Sequence, residues 1–345
     1  MGFIFNMEEQ ISFHQMLTWF LSRKSQHLDN EGEWVVNMIA KSIRLSYRAL
    51  PRTEIKLQTL DINIDAVNVK DYSGQDADYL QPILRLKNFV NSQIKDNVVD
   101  FFIHGSLSTL DYAKGWSDLD TLVVVNSKTI ENPRNLISFR RELISAQDYL
   151  FDIDPLQHHG FIFCSEFDLG QYLSHCMPIE VLEESKSLIR QSKLSIKYNR
   201  SKLKSRQFFE QKVSIFKKAF EEGVLVHHQY EGKYLLEDYG DTNTMYQMKY
   251  FLSVLMSLPI LYLDALGSPC YKKKSFDRIK QHFGDEWEII EKASIIRLKW
   301  SEYETHPFIG NDIPEWLRKE LGNSYFKRAY MISKAMSQRL AILAS

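Results

Sequence analysis

Apolar residues recur every three or four positions through residues 7–24 and 31–49. Ile11, Met16 and Phe20 mark the first run; Val35, Met38, Ile39 and Ile43 mark the second. That spacing gathers them on one face and predicts two helices, the second ended by Pro51. Leu60 to Val69 alternates apolar and polar residues, which predicts a strand. Asp76 or Asp78 then caps a helix over about 78–95, with Leu80, Ile83, Leu84, Phe89, Val90 and Ile94 inward. Val98–Ile103 and Leu119–Val125 are apolar runs of strand length. Asn132-Pro133 is an N-cap and first-turn pair for a helix reaching about Tyr149. Phe151–Asp154 alternates again and predicts a short strand before Pro155. Gly160–Cys164 is a further apolar run, and 166–176 suits a short helix.

Beyond residue 180 the helical period dominates. It predicts helices over 180–195, 202–222, 242–266, 275–283, 285–304 and 313–343. Residues 224–240 read as a hairpin or an irregular loop around Gly232. Gly267-Ser268-Pro269 is a helix stop. The expected class is α+β: a mixed-sheet core flanked by helices, plus a helical C-terminal domain. Three segments follow from the pattern: an N-terminal helical stretch (1–75), a core (76–180) and a helical remainder (181–345).

A chain of 345 residues is long enough for two domains. The formal net charge of −1 gives no global basic field for nucleic acid. Three cysteines, Cys164, Cys176 and Cys270, show no CxxC spacing. They argue against a disulfide framework and a zinc site, and for a reducing cytoplasmic setting. The opening MGFIFNMEEQ lacks the basic start and apolar stretch of a signal peptide. Tyr250–Leu266 is strongly apolar but contains Pro259 and Asp264, and reads as a buried helix rather than a membrane span.

The densest chemical signal is FFIHGSLSTLDYAKGWSDLDTLVVV, residues 101–125. An apolar strand ends in Gly105-Ser106. After a spacer of ten residues, Leu107 to Trp116, Asp118 and Asp120 open a second apolar run. Strand alternation turns both carboxylates to one face. Two carboxylates beside a small-residue turn suit a divalent metal carrying a polyphosphate.

Apolar strand, Gly-Ser, that spacer, Asp-x-Asp and a later apolar-Asp-apolar segment (FDIDP) resemble the DNA polymerase β-like nucleotidyltransferase superfamily. The resemblance covers about residues 80–180. It implies a nucleotidyltransferase-type mixed sheet and transfer of NMP from an NTP, such as ATP, to an acceptor hydroxyl, with pyrophosphate released. It also implies two Mg²⁺ ions held by Asp118, Asp120 and a third carboxylate on a neighbouring strand. Asp152 is the choice for the third, which would also help activate the acceptor; Asp154 is the alternative. Gly105 would let the backbone approach the triphosphate, with Ser106 binding terminal phosphate oxygens. The helical half is similar in layout to the C-terminal domains of aminoglycoside-type nucleotidyltransferases. Those close over the nucleotide and help bind the acceptor.

Other residues admit two readings each. His158-His159 follow the third-carboxylate segment and suit either substrate contact or a plain loop pair. His104 reads as a packed strand residue, and His227-His228 lack a partner motif. Lys272 to Lys274, Lys273 among them, and Lys249 are either phosphate-binding cations or solvated lysines. Tyr271 would stack on a base, and Glu237 or Asp238 would serve as an acceptor-side base. No GxSxG elbow or Walker pattern occurs. The lack of a basic patch interleaved with aromatics favours a small-molecule acceptor over nucleic acid or protein. Competing expectations are a non-catalytic nucleotide-binding or regulatory protein on the same fold, and a toxin-like enzyme that modifies protein or tRNA.

Overall fold

A computed structural model describes residues 2–51, 57–154, 157, 160–172, 178–225, 244–300 and 315–343. The chain opens with α1 (Gly2–Leu21), α2 (Leu28–Glu31) and α3 (Glu33–Ala49), followed by β1 (Gln58–Ala66) and α4 (Ala77–Phe89). Then come β2 (Val98–His104), the single turn α5 (Ser106–Thr109) and β3 (Asp120–Val125). Three helices follow, α6 (Ser127–Glu131), α7 (Pro133–Ala146) and α8 (Asp148–Ile153), and lead to β4 (Ile162–Ser165) and α9 (Glu166–Gly170). Next are α10 (Ile179–Glu183), β5 (Lys186–Ser187) and β6 (Ser192–Tyr198). The remainder is helical: α11 (Lys202–Glu221), α12 (Thr244–Leu266), α13 (Lys272–Ile279), α14 (Glu288–Lys299), α15 (Glu315–Leu321) and α16 (Tyr325–Ile342).

The fold is α+β, with a mixed, open, six-stranded sheet flanked by helices and a helical C-terminal region. Strand order is β4-β3-β2-β5-β1-β6. β2 pairs antiparallel with β3 and with β5, β4 runs parallel to β3, and β1 lies parallel to β5 but antiparallel to β6. The described residues fall into two units. Residues within 1–112, 117–174 and 181–199 form the first, and those within 113–116, 175–180 and 200–345 form the second. The N-terminal stretch thus shares a unit with the core, to which it contributes β1. Residues 181–199 supply β5 and β6.

One sheet face carries the main core of the first unit. Phe101 and Ile103 from β2, Val123 and Val125 from β3, and Phe163 from β4 meet Leu17 and Phe20 of α1, Leu136 and Leu143 of α7, and Leu150 and Ile153 of α8. Each such side chain contributes about 1.5–3 kcal/mol when fully buried. Arg140 of α7 is wholly buried yet satisfied: its guanidinium donates to the Phe20 carbonyl (3.1 Å) and the Ser25 hydroxyl (3.0 Å), and pairs with Asp29 (2.7 Å). It pins the turn after α1 onto α7.

Three expectations are corrected. Residues 151–153 are the end of α8, not a strand. Leu150 and Ile153 lie three apart and both face the core, so burial follows the helical period. The expected helix over 180–195 is instead the short α10 followed by β5 and the start of β6. In β6, Leu194 and Ile196 are buried and their neighbours exposed, the period of a half-buried strand. The expected 313–343 helix is described from residue 315 and is broken at Gly322, whose φ is +68°. By contrast, Asn132 caps α7 as expected, accepting from the Arg134 and Asn135 N–H groups, and α12 stops at Gly267 with φ +78°.

In the second unit, α11 packs on α12 and α16. Phe216 meets Phe251 (centroids 5.1 Å), which meets Phe326 (5.3 Å). The apolar α12 is mostly buried. Lys212 of α11 is buried as well; its ammonium donates to the Tyr250 hydroxyl (3.1 Å) and stands over the Phe208 ring. Burial lowers its pKa from 10.5 to about 8. Between those two values the unfolded chain holds a proton that the folded chain has released, so stability rises with pH across the window. Lys212→Met is therefore expected to raise stability at pH 7 by on the order of 3 kcal/mol and to flatten that slope. Urea denaturation at pH 7, 9 and 10.5 measures both.

Candidate functional site

The register of β2 on β3 places His104 opposite Asp120. Just past His104 the chain turns at Gly105, with φ +72° and ψ −154°, a conformation open to glycine and strained for other residues. Space is equally restrictive there. A Cβ on Gly105 would lie 2.4 Å from Oδ2 of Asp120, so the carboxylate occupies the volume a side chain would need. Asp118, two residues earlier, is half-buried like Asp120. The structure therefore brings Gly105 and Asp120 into contact, as the spacing of the motif suggests.

The loop between β2 and β3 is tied down at several points. The Ser106 hydroxyl donates to the Ser117 hydroxyl (2.9 Å). Ser108 donates to the carbonyls of Gly105 (2.9 Å) and Glu184 (2.7 Å). The Tyr72 hydroxyl donates to the Leu107 carbonyl (2.8 Å), that of Tyr79 to the Ser117 carbonyl (3.2 Å), and that of Tyr112 to Asp76 (2.6 Å). Burial raises the Tyr72 pKa, and burial followed by the Asp76 hydrogen bond raises that of Tyr112 to about 12. Both phenols therefore stay neutral donors at physiological pH.

No protein-family model matches the chain, and comparison with curated proteins and with solved structures also finds no match.

The third carboxylate is where expectation and geometry part. Asp152 lies on α8, exposed, in an ion pair with Arg85 of α4 (2.6 Å). It is a helical surface residue, not a strand residue beside Asp118 and Asp120. Asp154, just after α8, is buried. Its carbonyl accepts from the Gln157 N–H (2.9 Å), and Gln157 Oε1 accepts from the Leu119 N–H (3.2 Å). Two hydrogen bonds thus link Asp154 to the residue between the paired aspartates. Among the described residues, no group of three or more His, Cys, Asp or Glu side chains is arranged to hold a metal.

His104 is a buried strand residue, as expected. Lys249 is buried in α12, with its ammonium 5.7 Å from the centroid of Trp116. Trp116 packs edge-on against Trp300 (4.8 Å), which meets Trp316 (5.5 Å). Lys249 is therefore no solvated surface lysine. Lys273 lies in the first turn of α13. His158, His159, His227, His228, Glu237 and Asp238 lie outside the described residues. Ser117 and Gln157 join the site without having been foreseen. Ser117 stands inside the SDLD motif, where its hydroxyl was a legible signal; Gln157 acts across segments and carries no local signal.

Two measurements check this geometry. Gly105→Ala meets both the positive φ and the Asp120 carboxylate, and is expected to lower unfolding free energy by about 1–3 kcal/mol in chemical denaturation. Asp152→Asn breaks an ion pair whose side chains are nearly half exposed, so it is expected to cost less than about 1 kcal/mol in the same assay.

Proposed function

We propose that the protein is a magnesium-dependent nucleotidyltransferase that moves a nucleoside monophosphate from an NTP to an acceptor hydroxyl. One observation carries this: the Asp120 carboxylate sits against a glycine that has room for nothing larger, with Asp118 two residues away. Backbone can approach a polyphosphate at such a glycine, and Mg²⁺ takes one or two carboxylates together with phosphate oxygens and water. Two aspartates thus suffice as the protein's share of one metal. When bound, the metal supplies charge neutralisation on the phosphates.

The chain's own residues have distinct parts. Asp118 and Asp120 hold the metal side of the nucleotide. Gly105 gives access, and the Ser106 hydroxyl, on leaving Ser117, would donate to terminal phosphate oxygens. The acceptor oxygen bonds to the α-phosphorus as the bond to the bridging oxygen breaks. Pyrophosphate leaves, and the hydroxyl proton passes to a base. With Asp152 committed to Arg85, Asp154 takes over as the candidate base that activates the acceptor, not as a third metal ligand. A small-molecule acceptor in a cytoplasmic setting remains the favoured context.

A second reading has its own support. With only two carboxylates at the Gly105 turn and no metal-holding trio among the described residues, the same site suits a protein that binds a nucleotide as a regulator and turns nothing over.

Calorimetry with ATP, CTP, GTP and UTP, with and without Mg²⁺, tests the site. Asp118→Asn and Asp120→Asn are each expected to weaken Mg²⁺-dependent binding by at least about tenfold, or about 1.4 kcal/mol, while Asp152→Asn leaves it intact. Binding that survives both of the first two substitutions overturns the assignment. Labelled NTP in a cell extract then separates the readings: transfer of label to an acceptor, lost in Asp154→Asn, supports the enzyme. Binding without transfer supports the regulator.

A further inference from the structure

At the opposite end of β2 from Gly105 lies a cavity of about 730 Å³, between the start of that strand and the segment joining β5 to β6. Its size falls within the range of small-molecule sites. Its charged lining carries both signs: Asp96 and Asp100 from the β2 side, Lys95 beside Asp96, Arg190 from the joining segment and Lys193 from β6.

Asp100 is the most constrained of these. It is only 3% exposed. Oδ1 accepts from the Phe101 N–H (2.7 Å) and from the Ser187 hydroxyl (2.6 Å). Ser187 in turn accepts from the N–H groups of Ile189 and Arg190. The carboxylate is therefore held in one orientation by the backbone it organises. Both of these bonds fall on the same oxygen. Burial raises the Asp100 pKa despite hydrogen bonds from Ser187, Ser192 and Phe101 and the Arg190 charge, with the Lys87 ammonium also acting on it; a cation placed beside it in the cavity would favour its ionised form.

The basic side chains differ. Lys193 is paired with Asp61 (2.8 Å). Lys95 and Arg190 are exposed and make no ion pair within 4 Å among the described residues. Arg190 presents a fork suited to a carboxylate or phosphate. A simple anion would meet Asp96 and Asp100, and a simple cation would meet Lys95 and Arg190. A molecule with both charges satisfies both sets of side chains.

We propose that this cavity binds a small zwitterion of the free amino-acid type, its ammonium group on Asp100 and its anionic group on Arg190 and Lys95. The site is separate from the aspartate pair: Asp100 and His104 are four residues apart on β2, or about 13 Å. The proposal does not depend on nucleotidyl transfer.

The experiment is a thermal-shift screen of the full-length protein with pooled L-amino acids, followed by calorimetry on each hit, on its amide and on its N-acetyl derivative. At least one free amino acid is expected to raise the melting temperature. Its amide and N-acetyl forms should bind at least about tenfold more weakly, because each lacks one of the two charges. Arg190→Gln, on an exposed side chain, should weaken binding by about tenfold, and Asp100→Asn should abolish it, while Asp118→Asn leaves it unchanged. Should Asp100→Asn fail to fold, Arg190→Gln with the derivatives decides. No hit in any pool overturns the proposal, as does equal binding of the N-acetyl form or full binding by Arg190→Gln.

Discussion

The antiparallel pairing of β2 with β3 sets a register in which His104 faces Asp120, and most of the first unit follows from it. It decides which side chains enter the helix-covered core: Phe101 and Ile103 with Val123 and Val125. A shift of one residue would turn that set to the opposite face. The same register delivers Asp120 to the end of the strand just where β2 turns away at Gly105. Core packing and the candidate site thus depend on one ladder, and neither can be altered without the other.

Much of this is legible in the chain, because the signals are local. Asn132-Pro133 announces α7 through its own hydrogen bonds. Gly105 and the Asp-x-Asp motif announce a turn and a strand start through residue type alone. FDIDP misleads for a physical reason. Four alternating residues are too few to separate strand from helix, and the deciding contacts of Leu150 and Ile153 come from the core beneath α8. SKLSIKY alternates plainly, yet the helical residues before it favour continuing a helix; what makes β6 a strand is β1, well over a hundred residues upstream.

The site divides in the same way. Gly105, Ser106, Asp118 and Asp120 lie within one short stretch, so their proximity is written in their spacing. The partner of Asp152 and the tie between Gln157 and Leu119 bring together segments that share no motif. Arg85 captures Asp152 because α4 packs against α8, and no pattern within either helix specifies that pair.

β1 has an uncommon place in the order of synthesis. Its neighbours in the sheet are β5 and β6, which leave the ribosome more than a hundred residues later. Until about residue 187 has emerged β1 has neither partner, and until about residue 198 it lacks β6, so its backbone groups must rely on water or on passing strands. The pairing that completes the sheet closes a long loop, a step that is slow in chains of high contact order. Translation through residues 67–198 is thus an interval in which the growing chain carries an open strand. The first unit reaches its final form only when the helical half has begun to appear.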